Sequence, residues 1–189
     1  MTVEPFVPPP VPVDCVYATV VLAGDGRSAQ FYWGRNAHTG QPLILIDWEV
    51  HPLDASIWFL ADSTLRDFAR ERRARIGSMG TFVEGANIAQ IGELQGYLVR
   101  AIPEHITTPS AWPSICRSTA LYLSDSKVGI TEASLIKMAS RPFLTDAGLS
   151  SVEKRPDDPI VPAFVYGVVM GLDEASARPP RSAKVKVLS

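Results

Sequence analysis

Four acidic residues stand at the ends of predicted secondary-structure elements, where carboxylates from distant parts of a chain can meet. Glu84 closes a short apolar segment, and Asp25 follows the first hydrophobic run. Asp157 and Asp158 immediately precede a long apolar stretch. Hard cations such as Mg²⁺ prefer carboxylate oxygens, and two ions about 3.5–4 Å apart can stabilise the attacking and leaving oxygens of a phosphodiester. The pattern predicts a site for one or two Mg²⁺ or Mn²⁺ ions held by Asp25, Glu84, Asp157 and Asp158.

Each of these residues also has a simpler structural interpretation. Asp158 comes just before Pro159, where an Asp commonly caps the N-terminus of a helix, and Asp157 could simply be solvated. Asp25 lies between two glycines, in a turn that needs no further function. Glu84 would be partly buried at the end of an apolar strand and needs a partner there. An Arg side chain could satisfy it as well as a metal ion could.

Three hydrophobic runs begin the region that we expect to fold. The segments Cys15–Ala23, Ala29–Trp33 and Leu43–Val50 have strand composition and short connections, which predicts an antiparallel three-strand meander. Apolar residues at helical spacing after Asp54 predict a helix, and Thr81–Glu84 predicts another strand. A helix that joins a meander to parallel strands of the same sheet gives an α/β fold with a mixed sheet flanked by helices. This order of elements is compatible with the ribonuclease H-like fold.

The second half of the chain is predicted to be mainly helical. Its expected elements are a helix with Ile88, Ile91, Leu94 and Leu98 on one face, a short strand at His105–Thr107, a helix beginning near Trp112, a turn through Val128 and Ile130, and a helix from Thr131 to Ser140. Residues 144–156 are predicted to form a loop. The stretch from Pro159 to Leu172 is apolar on nearly every face, so we expect a buried helix there.

Length and composition are those of one folded domain with tails. Of the 189 residues, 46% are hydrophobic and 20% are charged, which excludes wholesale disorder. The formal net charge of -2 excludes the global basic field of a tight nucleic-acid binder. The cysteines, Cys15 and Cys116, are far apart, which argues against a disulfide scaffold or structural zinc and suits a reducing cytoplasm. The longest apolar stretch, Ile160–Leu172, is too short to span a membrane, so we expect a soluble protein.

The chain divides into three predicted regions. Residues 1–13 are rich in proline and are expected to form an extended arm. Residues 14–174 are expected to fold, and residues 175–189 are expected to form a flexible basic tail. Any contact with DNA would come from this tail or from the arginines at positions 66–75. Arginines are also typical of a solvent-exposed helix C-terminus, because positive charge interacts favourably with the helix dipole there.

Three segments together resemble the nuclease domain of phage terminase large subunits, the motor proteins of viral DNA packaging. Thr81–Asn87 is similar to the family's strand-plus-Glu motif. The Asp157-Asp158 pair that leads into Pro159–Gly167 resembles an Asp-Asp pair at the start of an apolar helix, and Cys116–Phe143 is similar in element order. The resemblance implies a ribonuclease H-like fold and metal-dependent cleavage of double-stranded DNA. It also implies that Glu84 and the Asp pair are metal ligands.

The chain departs from the family pattern at three places. The family carries an Asp on or just after the first strand, whereas Val20–Ala23 contains none, so Asp25 is the best candidate and Asp14 is the other. The family's basic loop is missing, because Pro109–Ile115 contains no Lys or Arg. No phosphate-binding loop of the G-x-x-x-x-G-K-[ST] type is present, which predicts a stand-alone or split nuclease portion whose partner is a packaging ATPase or a portal.

The first functional hypothesis is therefore an Mg²⁺- or Mn²⁺-dependent DNA endonuclease, acting in the cytoplasm of a bacterial host if a phage encodes it. Its catalytic carboxylates are expected to be Glu84, Asp158 and Asp25. Holliday-junction resolvases share the fold and the acidic layout, so a resolvase-like nuclease is a close alternative. A second hypothesis is a catalytically silent module that docks to a packaging ATPase, a portal or DNA. A third is an unrelated α/β domain whose acids are helix caps and salt bridges.

Overall fold

The computed structural model describes residues 13–36, 42–52, 57–74, 76, 80–84, 99–138, 148–149 and 152–176. The elements are, in chain order, β1 (Cys15–Leu22), β2 (Arg27–Arg35), β3 (Leu43–Pro52), α1 (Ile57–Glu71), β4 (Thr81–Glu84), β5 (Val99–Ala101), α2 (Glu104–Thr107), α3 (Trp112–Ser124), β6 (Val128–Ile130), α4 (Glu132–Met138) and α5 (Ile160–Ser176). The predicted Pro-rich arm and basic tail lie largely outside the described residues, as do Asp54 and the helix expected around Ile88.

The strands form one mixed sheet in the order β5-β4-β1-β2-β3-β6. β1, β2 and β3 pair in antiparallel fashion, which confirms the predicted meander. β4 then pairs parallel to β1, β5 parallel to β4, and β6 parallel to β3. The predicted α/β fold with helices on a mixed sheet is therefore confirmed, and its arrangement is consistent with the ribonuclease H-like fold.

α5 lies buried across one face of the sheet. Its residues from Ile160 to Met170 are all buried, as its uniformly apolar sequence predicted. Two hydroxyl groups of β1 fix its position, because Tyr17 Oη donates to the Gly167 carbonyl at 2.7 Å and Thr19 Oγ1 donates to the Ala163 carbonyl at 2.9 Å. These bonds attach α5 directly to the strand that leads to the acidic edge.

α1 covers the opposite face of the sheet. Ala61 and Leu65 are buried against residues of β1 and its neighbours, while Arg66 and Arg70 face solvent and pair with aspartates on the same helix. This is the amphipathic pattern that the four-and-three spacing of its apolar residues predicted. The arginines of α1 at positions 66 and 70 are thus part of a solvated helix face.

Two short segments were predicted wrongly. Residues 104–107 form the helical turn α2, whereas we expected a strand at His105–Thr107. Pro103 directly precedes this turn, and Ile106 alone turns inward, so the pattern over three residues was too short to distinguish the two structures. Val128–Ile130 forms a buried strand instead of a turn, because it pairs with the edge of β3. Of the helices described, none is both long enough and apolar enough to cross a lipid bilayer.

Candidate functional site at the acidic edge of the sheet

The parallel pairing of β1 and β4 brings three acidic segments to one edge of the sheet. In the register of this pair, Val21 lies opposite Glu84, so both strands end at the same level. Asp25 follows in the turn from β1 to β2, and Asp158 lies two residues before the first residue of α5. The structure thus places Glu84 on the same edge as the start of α5. Asp14 precedes β1 and therefore lies at the other end of that strand.

A cleft of about 480 Å³ opens at this edge. It is lined by the end of β1, the turn that follows it and the segment before α5: Leu22, Ala23, Gly24, Asp25, Arg27, Arg155, Asp157 and Asp158. Three of the four predicted site residues therefore share one cleft. The fourth, Glu84, contacts Arg155, which is one of the lining residues.

Arg27 joins the two aspartates on one side of the cleft. Its Nη2 lies 2.7 Å from Asp25 Oδ2, and its Nη1 lies 3.7 Å from Asp158 Oδ2. The hydrogen bond from Arg27 holds the pKa of the Asp25 carboxyl below its ordinary value. The second oxygen of Asp158 accepts the backbone N–H of Ile160 at 2.9 Å. Asp158 therefore has the helix-capping role that its sequence position suggested, in addition to its place in the cleft.

Arg155 holds Glu84 on the other side of the cleft. Its guanidinium group donates to Glu84 Oε2, and its Nε donates to Tyr166 Oη at 3.3 Å. Tyr166 Oη in turn donates to Glu84 Oε1 at 3.3 Å. Burial, together with the nearby Glu84 charge, raises the pKa of Tyr166 to about 12, so its hydroxyl remains protonated and can donate. Both oxygens of Glu84 thus have a partner from this chain.

The donor atoms suit a hard divalent cation, but their present arrangement does not form a coordination site. Four carboxylates and two guanidinium groups give the edge a formal charge of -2, which attracts cations. Within the described residues, however, no three His, Cys, Asp or Glu side chains are grouped closely enough to hold a metal ion. Arg27 and Arg155 hold three of the carboxylates, while Asp157 is exposed. The residue types fit Mg²⁺ or Mn²⁺, whereas their positions are those of an arginine-linked network.

Arg27, Arg155 and Tyr166 are the residues of this edge that the sequence patterns did not identify. The one available signal was that a partly buried Glu at a strand end needs a positively charged partner. That reasoning gave the alternative of a salt bridge for Glu84, which is the contact observed. It could not identify Arg155, because 71 positions separate the two residues.

Part of a phage large terminase, seen in several solved structures, is similar in fold to this chain. One structure of the large terminase from a thermophilic bacteriophage matches 90% of the chain with a TM-score of 0.57 and 14% identity. A second, in complex with ATP-γ-S, matches 88% with a TM-score of 0.60 and 15% identity. The chain spans only 43% and 42% of these two terminase chains, respectively. The likeness is one of fold. No protein-family model matches the chain, and no curated protein matches it either.

Proposed function

We propose that this chain is a terminase-related endonuclease module that cleaves double-stranded DNA with the help of Mg²⁺ or Mn²⁺. The observation that supports the proposal best is the common position of Glu84 and the start of α5 at one edge of the sheet, linked by Arg155. Phosphodiester cleavage with divalent cations needs carboxylates that converge from distant parts of the chain. The match in fold to large terminases supports the same interpretation.

Asp25, Glu84, Asp157 and Asp158 are the residues that would hold one or two cations. A bound cation would activate water and stabilise negative charge on the phosphate. Arg27 and Arg155 line the cleft, so they can contact phosphate oxygens of a DNA backbone. Tyr166 and Arg155 each donate a hydrogen bond to Glu84 and so fix the orientation of its carboxylate.

Double-stranded DNA is the proposed substrate, and a packaging ATPase or a portal is the proposed protein partner. The chain spans about two-fifths of each of these large terminase chains, and one of those structures is in complex with ATP-γ-S, which supports an ATPase as the proposed partner. The proposed place of action is the cytoplasm of a bacterial host, where phage DNA would be packaged.

Nicking of supercoiled plasmid DNA tests this function directly. We expect the wild-type protein to nick plasmid in Mn²⁺ and not in EDTA, and we expect Glu84→Gln and Asp158→Asn to remove the activity. Asp67→Asn is the matched control, because Asp67 is exposed on α1, where it pairs with Arg70. Unchanged nicking by Glu84→Gln would remove the proposal. Preferential cleavage of a four-way junction over linear duplex would favour the resolvase-like alternative.

A catalytically silent binding module is the second candidate, and a specific feature favours it. β1 carries no carboxylate, and three of the four acids nearby, Asp25, Glu84 and Asp158, pair with arginines. A silent module would dock to a packaging ATPase, a portal or DNA through the same fold. Thermal unfolding separates the two candidates, because a cation that binds the folded state raises Tm by linkage. A wild-type Tm that is identical in Mn²⁺ and in EDTA, together with absent nicking, would favour the silent module.

A further inference from the structure

The arginine network occupies the place where the proposed reaction needs a cation. Arg155 is half-buried, with a side-chain exposure of 31%, and it contacts Glu84, whose exposure is 18%. An arginine guanidinium keeps its proton at any ordinary pH, so its charge does not disappear to make room for a metal ion. A cation approaching Glu84 therefore meets both an occupied carboxylate and a nearby positive charge.

Arg27 has the same relation to the two aspartates. It contacts Asp25 closely and Asp158 more loosely, at 2.7 Å and 3.7 Å. Its side chain is more accessible than that of Arg155, with an exposure of 44%. Solvent screening weakens such an exposed ion pair, so Arg27 is the more easily displaced of the two.

We propose that Arg155 and Arg27 set the divalent-cation affinity of the acidic edge, because they pair with Glu84, Asp25 and Asp158, the carboxylates that a cation would contact. They are positioning residues, which act through the carboxylates that they hold. The inference rests on the proposed function for the identity of the cation. Neutralising either arginine leaves the carboxylates in place and makes the formal charge of the edge more negative by one unit. Since like charges repel more strongly where solvent is partly excluded, the stronger effect is expected at Arg155.

Direct Mn²⁺ binding tests this inference without any measurement of cleavage. The free Mn²⁺ signal in electron paramagnetic resonance gives the amount bound to wild-type protein, Arg155→Gln and Arg27→Gln. We expect Arg155→Gln to bind Mn²⁺ about tenfold more tightly than wild type, and Arg27→Gln to show a smaller gain in the same direction. Glutamine can still donate a hydrogen bond, so it replaces the charge and keeps a polar partner.

Two further variants show whether the additional Mn²⁺ binding depends on Glu84 or only on net charge. Adding Glu84→Gln to Arg155→Gln should return Mn²⁺ binding to the wild-type level or below it. Arg70→Gln removes an arginine of equal charge from the solvated face of α1, where it pairs with Asp67, and should leave binding unchanged. Circular dichroism of each variant in EDTA shows whether it is folded. If Arg155→Gln does not fold, the exposed Arg27→Gln carries the test by itself.

The outcomes separate this inference from the proposed function. Equal Mn²⁺ affinity in wild type and both arginine variants would overturn the inference, even if the wild-type protein nicks DNA. A gain in affinity that requires Glu84 would support it, even if no variant cleaves DNA. An equal gain in Arg70→Gln would also overturn it, since the effect would then be one of net charge alone.

Discussion

Arg155 donates to the carboxylate of Glu84 across 71 positions of the chain, and this contact ties the segment before α5 to the end of β4. Tyr166, six residues after the first residue of α5, donates to the other carboxylate oxygen. The three side chains form a closed hydrogen-bonded group, because Arg155 also donates to Tyr166. The group links the end of β4, the segment before α5 and α5 itself.

Replacing Glu84 with Ala should therefore destabilise the protein even when EDTA is present. The change leaves the guanidinium group of Arg155 half-buried without its carboxylate, and it removes the acceptor of Tyr166. We expect the free energy of unfolding to fall by about 1–3 kcal/mol, measured by urea denaturation. Asp67→Ala breaks an exposed ion pair on α1 and should change the free energy of unfolding by about 0.5 kcal/mol or less. Equal effects of the two substitutions would contradict a structural role for the group.

Gly167 allows α5 to approach the sheet closely. A Cβ atom at this position would lie 2.2 Å from Trp33 Nε1, well inside van der Waals contact. Because Trp33 is completely buried, it has little room to move, and Gly167→Ala should lower the free energy of unfolding by about 1–3 kcal/mol or more. Gly24→Ala is the matched control, since no atom lies within 4 Å of the added Cβ. Similar stabilities of the two variants in urea would show that α5 packs less closely.

The carboxyl of Asp25 should titrate below its ordinary value of 3.8, because the side chain of Arg27 donates to it. A carboxyl whose folded-state pKa is lowered binds its proton less readily when folded. Its contribution to stability is therefore present above pH 3.8 and is lost as the pH falls through the lower, folded-state pKa. Carbon-detected NMR of the side-chain carboxyl measures this titration. In Arg27→Gln the pKa should rise, and an unchanged titration curve would show that the pair does not persist in solution.

Cys116 should resist alkylation in the folded protein. Its side chain is 1% exposed, and burial raises the pKa of the thiol to about 11. Since the thiolate is the reactive form, both effects protect the residue at about pH 8. Iodoacetamide labelling followed by peptide mass spectrometry should show Cys116 modified only after addition of guanidinium chloride. Comparable labelling of Cys116 before and after denaturation would indicate that α3 opens readily.

Hydrophobic periodicity determined most of the described architecture. The meander, the strand Thr81–Glu84, the helix from Trp112 and the buried α5 each follow from patterns that depend on near neighbours in the chain. The errors at His105–Thr107 and Val128–Ile130, and the unpredicted strand β5 (Val99–Ala101), all concern segments of three residues. At that length the pattern carries little information, and pairing with β3 decides the structure of the second segment.

The sequence by itself placed Glu84 at a strand end and Asp158 before a helix, because both positions depend on local patterns. The tertiary structure decided which groups these carboxylates meet. The parallel register of β1 and β4 sets the level of Glu84, and the packing of α5 on Tyr17 and Thr19 brings the preceding segment to the same edge. Ion pairs between residues far apart in the chain leave no spacing signal, so only the folded structure showed that arginines hold the acids there.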